Sequence, residues 1–432
     1  MDKKVRYLID FVAKTLYVVM EKKISHDRAF QMVLREYKKA ANELPLKILY
    51  KASRDVVNDY YTLRYAEQYV YGSRGSAKRM VRLWLILRGD EKDYLHAISD
   101  GIERLRRRLA KTLPKRIESI DELIDSIGQT PVRRLSLLYS YPEWFVDLFV
   151  KLVGVEETEK LLKALNEEKW WIRVNTLKTD VDTIARRLLE KGVLVRKDND
   201  LPYMLEVVDY NEPLHHLEEM WNGEIVFQDK ASALVVEALD PQPGEFILDM
   251  AAAPGIKDSL IMQLTNNDAH IVAIDISRER TKRTLRVLKM LGADISKIHV
   301  VNADSALFSL SRRPDKIILD APCTSSGAIG KDPAIKIHLE NINWVAKFPS
   351  LQSELLRSAL RYKVDTVYAV CSLLPFEGEE IIDAYADRLD EPKIPGHYGY
   401  KAYEPISAKV KRLFPHIHGT QGFFIARIRG TP

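Results

Sequence analysis

Cysteine is nearly absent from this chain, with two in 432 residues. Two thiols cannot staple so long a chain, which excludes a disulfide scaffold and makes a reducing, cytoplasmic setting the expectation. Long apolar runs are missing as well. No stretch of about 18 apolar residues occurs, so no membrane span is expected. The N-terminus MDKKVRYLIDFVAKTLYVVMEKK does not read as a signal peptide. Asp10 and Lys14 interrupt it, and Val5, Leu8, Ile9, Val12, Leu16 and Val19 recur at helical spacing. The glycine loops GxGxxG and GxxxxGK are absent, which argues against a dinucleotide or P-loop site. No metal site is expected.

What is present is apolar and charged in globular proportion: 46% hydrophobic and 29% charged residues. At this length two or three domains are expected. Charge is uneven. Residues 1–130 hold 27 Lys and Arg against 18 Asp and Glu, although the whole chain is only +5, so the remainder is slightly acidic. The densest basic run is RLRRRLAKTLPKR (104–116), with Arg106, Arg107 and Arg108 at its centre. Such a stripe suits a phosphate backbone, or it is a solvated helix face.

Three segments follow from the pattern. Residues 1–127 read as all-helical, with Ser25 as a cap ahead of Ala29, Met32, Val33 and Tyr37 at helical spacing. Gly128 and Pro131 mark a boundary. Residues 128–225 read as a small α+β module. WWIRVNTLKTDVDTIARRLLEKGVLV gives strand, turn, helix and strand, with Asp180 as cap and Ile184, Leu188 and Leu189 inward. Arg173 and Asn175 alternate on one face of its first strand, open to RNA or simply wet. Residues 226–432 alternate strand and helix, the pattern of an α/β, doubly wound, mostly parallel sheet, closed by a late edge or hairpin strand in GFFIARIRG.

In such sheets ligands sit beyond the carboxyl ends of the strands. The first strand ends in Asp249 and runs into AAAPGIK, where small residues and Gly255 allow backbone approach and the next helix offers free N–H groups. The second ends in Asp275, suited to ribose hydroxyls. The third ends in Asn302-Ala-Asp304, suited to an adenine amino group, and the fourth in Asp320. One such acid is an ordinary helix cap. Four in succession suit a nucleoside without phosphates, and S-adenosylmethionine is the obvious one.

Cys323 and Cys371 then fall at two strand ends. A lone cysteine is usually a small buried hydrophobe. Beside a methyl donor, however, carbon 5 of a pyrimidine is the acceptor that needs a thiol. Addition of a thiolate to carbon 6 makes carbon 5 nucleophilic, and the base must be unstacked to reach it. Asp320 shares this edge, and Lys257 could lower a thiol pKa or contact the base.

The motifs RVNTLK (173–178), FQDKAS (227–232), DMAAAPGIK (249–257), DISRERTKR (275–283), DAPCTSSGAIGKDP (320–333), VCSLLPFEGEE (370–380) and GTQGFFIARI (419–428) occur in this order. From about residue 131 to 430 the chain resembles the NOL1/NOP2/Sun family of RNA 5-methylcytosine methyltransferases, including its bacterial ribosomal-RNA branch. The resemblance implies a Rossmann-like methyltransferase fold, Cys371 as nucleophile and Cys323 as the residue that helps release product. It implies that Asp320 and Lys257 contact the target cytosine. It also implies that Ala251, Ala252, Ala253, Pro254, Gly255, Ile256, Lys257, Asp275, Arg280, Asp304 and Asp320 hold S-adenosylmethionine. The helical residues 1–127 are similar in kind and position to the NusB-like RNA-binding domain of the ribosomal-RNA branch. The expected partner is ribosomal or transfer RNA, and the expected state a monomer without metal. Four positions differ from the family's usual residues: Ile256 for Gly, Asp258 for Thr or Ser, Val370 for Thr and Gly378 for Asn. Two other readings stay open: an RNA-binding factor on a methyltransferase fold that has lost catalysis, which Ile256 and Asp258 motivate, and a cysteine hydrolase, for which no local histidine pairs with Cys371.

Overall fold

The computed structural model describes residues 3–89, 92–96, 98, 101–211 and 214–431. The chain forms two compact units. The first joins Met1–Glu167 with Ile329–Val345, and among its described residues the regular elements are all helices. Its opening helix, Lys3–Lys22, buries the predicted stripe: Val5, Leu8, Ile9, Val12, Leu16 and Val19 are at most 2% exposed. Ser25 caps the next helix by accepting from Arg28 N–H. Ala29 and Val33 face the core, but Tyr37 closes that helix and is exposed.

This unit reaches beyond residue 127. The helices Pro131–Tyr139, Glu143–Val153 and Val155–Leu165 precede the second unit. Thr62 Oγ1 donates to Leu137 O (2.7 Å), and Tyr61 N–H donates to Ser140 Oγ (2.9 Å). The segment Ile329–Val345 also belongs here. Its short helix Ala334–His338 puts Ala334 and Ile337 into the helical core. Lys336 is fully buried and donates to Asn58 O (3.1 Å) and Tyr139 O (2.9 Å), which are carbonyls at helix ends. Burial holds its ammonium pKa well below the usual value. The division therefore runs differently from the three segments expected, because helical spacing marks an inward face without marking which core it joins.

The second unit, Glu168–Ala328 with Ala346–Pro432, carries two sheets. The smaller is antiparallel, in the order β2-β3-β1-β4, from β1 (Trp171–Val174), β2 (Val193–Lys197), β3 (Met204–Tyr210) and β4 (Ile225–Phe227). Its helix Val181–Glu190 is capped by Asp180, which accepts from Thr183 N–H. Ile184 and Leu188 are buried, whereas Leu189 is exposed, being one residue further round the helix.

The larger sheet uses β5 (Phe246–Asp249), β6 (His270–Asp275), β7 (Ile298–Asn302), β8 (Lys316–Asp320), β9 (Asp365–Val370), β10 (Leu389–Asp390), β11 (Val410–Leu413) and β12 (Phe423–Ile428). Its order is β10-β12-β9-β8-β5-β6-β7, and β11 also pairs with β12. The five strands from β9 to β7 are mutually parallel, and β12 runs antiparallel to β9. This is the expected mostly parallel α/β sheet with a late antiparallel strand. No described helix is long and apolar enough to cross a membrane.

Candidate active site

Parallel pairing sends the ends of five strands to one edge. The register sets Asp249 beside Ala273 and Ile318, Asp275 beside Asn302, and Asp320 beside Ala369. Every strand-end residue singled out above therefore lies on the ligand-binding side of the sheet.

Asp249 Oδ1 accepts from Ala251 N–H (2.9 Å) and starts the loop. Ala252 N–H donates to Ile274 O (2.8 Å), and Gly255 N–H donates to Ala252 O (2.7 Å). Gly255 has φ +89°, and a Cβ there would lie 2.8 Å from Thr284 Cγ2, so glycine is required. The helix Ile256–Leu264 begins at this point. Asp275 Oδ1 accepts from Ser277 N–H (2.8 Å). Arg280 pairs with Asp275 (3.2 Å) and donates to Ala253 O (2.5 Å), strapping the loop to β6. Asn302 Nδ2 donates to Asp275 O (3.0 Å) and Ile276 O (2.9 Å). Asp304 is exposed and accepts from Ala306 N–H (2.9 Å). The cations of this set are already matched, Arg280 to Asp275 and Lys257 to Asp320. A strand edge lined by carboxylates, with its cations neutralised, fits a nucleoside's hydroxyl and amino groups better than a phosphate.

Lys257 and Asp320 form an ion pair between the helix Ile256–Leu264 and β8. Burial alone would lower the Lys257 ammonium, but the charge and hydrogen bond of Asp320 outweigh it and hold the pKa above its usual value. Cys371 Sγ lies 3.1 Å from Cys323 Sγ and 3.5 Å from Ser325 Oγ. Both thiols are half-buried. The pair is asymmetric. The hydrogen bond from Cys323 lowers the Cys371 pKa against the opposing effects of burial and Asp320, with Ser325 and Lys257 assisting. Cys323 is pushed well above its usual value by the same hydrogen bond, by burial and by the charge of its neighbours. The two sulfurs are thus shifted in opposite directions, Cys371 toward the thiolate and Cys323 toward the thiol.

The RNA contacts expected of the small module are corrected here. Arg173 is fully buried. It donates to Gln263 Oε1 (2.5 Å) and Ser259 Oγ (2.6 Å) on the helix that follows the loop. Asn175 is 1% exposed and donates to Gly223 O (2.8 Å) and Leu291 O (2.6 Å). Groups shut off from solvent and bonded to the protein cannot reach a phosphate, so both residues fasten the structure. In the helical unit, Arg107 and Arg108 are exposed, while Arg106 turns inward, donating to Ile86 O (3.2 Å) and Glu103 Oε2 (3.3 Å).

Three of the four unusual positions, Val370, Gly378 and Asp258, have identifiable surroundings. Val370 is fully buried in the core beneath β9, where an apolar side chain suits. A Cβ at Gly378 would lie 2.7 Å from Arg412 Nη2 and 2.9 Å from Phe424 Cδ2, which leaves no room for a larger residue. Arg412 forms a fully buried ion pair with Glu379 and donates to Ser372 O (3.2 Å), bracing the turn after Cys371. Asp258 is fully buried beside Asp249. Burial first, and then the charge of Asp249, pushes its carboxyl pKa well above the usual value. Burial raises Asp249 to about 6.

A raised carboxyl pKa means that the folded state binds the proton more tightly than the unfolded chain. Stability therefore declines as pH rises from the usual value of 3.8 through about 6. Asp258→Asn removes the second raised carboxyl of this buried pair, and with it that group's own proton linkage. Denaturation between pH 4 and 8 is expected to show a flatter profile and a gain on the order of 2 kcal/mol at pH 7.5. An unchanged slope would disprove the paired-carboxyl account.

Residues 236–429 match the family described as 16S rRNA methyltransferase RsmB/F. Residues 141–210 match the family's ferredoxin-like domain. A tRNA (cytosine(49)-C(5))-methyltransferase of Pyrococcus abyssi is 30% identical over 318 residues, 67% of this chain and 98% of that one. The chain belongs to the RNA (cytosine-C5)-methyltransferase family. Another member, the probable ribosomal RNA small subunit methyltransferase B of Bacillus subtilis, is 28% identical over 77% of each chain. The human 28S rRNA (cytosine(4447)-C(5))-methyltransferase is 31% identical over 68% of this chain, but that match spans only 38% of the longer human protein. The crystal structure of PH0851 superposes over 98% of both chains with a TM-score of 0.77 at 24% identity, a likeness of fold alone.

Sequence reading named both thiols, Lys257 and Asp320, and the structure brings these four together. It missed Ser325, and it missed Glu377, a fully buried carboxylate that ties the two cysteine loops. The signal for Glu377 was faint: an acid five residues after a Cys-Ser pair.

Proposed function

We propose that this chain methylates carbon 5 of a cytosine in RNA, using S-adenosylmethionine as donor and Cys371 as covalent nucleophile. The observation that carries the reading is the asymmetric thiol pair, 3.1 Å apart, at the strand edge that also holds the Lys257–Asp320 pair. S-adenosylmethionine supplies an electrophilic methyl group when bound. The loop Ala251–Lys257 and the helix start behind it would receive its amino-acid end, Asp275 its ribose hydroxyls, and Asp304 its adenine, with Arg280 steadying the loop.

Asp320 and Lys257 contact the flipped cytosine and orient its ring. The Cys371 thiolate adds to carbon 6, and carbon 5 gains nucleophilic character. After methylation the carbon-5 proton passes to a base, the 5,6 double bond reforms and the sulfur leaves as thiolate. Cys323 keeps its proton and donates that S–H to the departing sulfur. Removing it slows release more than addition.

Ribosomal RNA is the favoured substrate. Most of the relatives above are named for it, and the exposed Arg104, Arg107, Arg108 and Lys111 of the helical unit supply a basic face for a large RNA. Transfer RNA is the second reading, favoured by the Pyrococcus relative, whose match covers nearly its whole length. Bisulfite sequencing of total RNA from cells with and without the gene decides between them. A cytosine protected only when the gene is present names both molecule and position. Identical protection across both RNA classes would overturn the proposal.

A further inference from the structure

Two thiols on separate loops do not hold a fixed separation unaided. The Cys323 loop leaves β8 and the Cys371 turn leaves β9, and both are half-exposed at their tips. Beneath them lies one fully buried carboxylate, Glu377. One of its oxygens accepts from Thr324 N–H (2.9 Å) and from Gln352 Nε2 (3.0 Å). The other accepts from Thr324 Oγ1 (2.5 Å) and Ser372 Oγ (2.5 Å). Thr324 follows Cys323, and Ser372 follows Cys371. Gln352, on the helix Lys347–Leu360, also donates to Pro322 O (2.8 Å), on the other side of Cys323.

We propose that Glu377 is the positioning residue of the thiol pair, a buried clamp that sets the separation of Cys323 and Cys371. The assignment rests on the cysteine roles proposed above but goes beyond them, because Glu377 touches neither sulfur. Four donors converging on one carboxylate make a strong network in a dry site. Loss of the carboxylate leaves those donors unpaired and the two loops free to part.

The test compares Glu377→Ala with Glu377→Gln in the full chain. The amide oxygen of glutamine still takes the two N–H donors, and its NH2 group still reaches the two hydroxyls, so glutamine preserves the clamp without the charge. Diamide oxidises two adjacent thiols to a disulfide and takes up their two hydrogens, so its rate reports sulfur proximity without RNA or donor. Glu377→Ala is expected to oxidise at least 10-fold more slowly than wild type, and Glu377→Gln within about 3-fold of it. In methylation assays kcat should fall for the alanine variant while KM for S-adenosylmethionine holds within about 2-fold. Wild-type oxidation by Glu377→Ala overturns the clamp. Equal loss in both variants also overturns it, in favour of charge alone. If Glu377→Ala does not fold, Ser372→Ala cuts the same tie from the Cys371 side and should slow oxidation in the same direction; an unchanged rate sinks the proposal. Loss of methylation activity in every protein, wild type included, with the diamide pattern intact, rejects the proposed function and leaves the clamp standing.

Discussion

Cys371→Ala is expected to reduce cytosine methylation by a factor on the order of 10⁵, about 7 kcal/mol of barrier. Carbon 5 of cytosine has little nucleophilicity of its own, so without sulfur at carbon 6 the transferred methyl group meets no adequate acceptor. Binding of S-adenosylmethionine should be intact, because the hydrogen bonds of Cys371 Sγ go to Cys323 and Ser325 rather than to the loop Ala251–Gly255 or Asp275. Calorimetry with the donor and incorporation of labelled methyl into RNA therefore separate the two functions. Wild-type incorporation by Cys371→Ala would remove this residue from the chemistry. Absence of donor binding in the wild type would instead favour the non-catalytic RNA-binding reading that Ile256 and Asp258 prompted.

Cys323→Ala should produce the opposite defect: protein that attacks but does not let go. Cys323 Sγ lies 3.1 Å from the sulfur that must depart, and its hydrogen bond does most to lower the Cys371 pKa. A thiolate that has lost this donor is a poorer leaving group. Turnover is expected to fall on the order of 100-fold while a covalent protein–RNA species accumulates. A denaturing gel reads it as a shifted band that persists after heating in detergent and disappears on ribonuclease treatment. The double variant Cys323→Ala with Cys371→Ala should show no such band. A band in the double variant would place the covalent bond on another residue, and no band in the single variant would remove Cys323 from product release.

The chemistry of this site was legible because its main parts are local in the chain. Each strand is a short β-branched run, and Asp249, Asp275, Asp320 and Cys371 stand at or just past the end of theirs. Once the strands are parallel, those ends must share an edge, so the sequence positions translate directly into a site. Arg173 and Asn175 show the opposite case. Their alternation placed them on one face of a strand, but alternation does not say whether that face meets solvent or a neighbouring helix. The helix Ile256–Leu264 and the carbonyls of Gly223 and Leu291 cover it. Leu189 and Tyr37 failed in the other direction, being apolar residues at the margin of a helical stripe that no core reaches.

By itself the sequence determined the α/β class, the helical N-terminal region, the succession of strands along the chain and the two candidate thiols. These follow from periodicity and from residue type at strand ends, which act over a few neighbouring residues. Only the tertiary structure decided that Ile329–Val345 joins the helical unit, that Arg173 is a fastening rather than an RNA contact, that Asp258 is buried beside Asp249, and that Glu377 ties Thr324 to Ser372. Each of these depends on burial or hydrogen bonding between groups that lie far apart along the chain or are aimed by the fold. Their partners are chosen when the core closes, and nothing in the local pattern marks them beforehand.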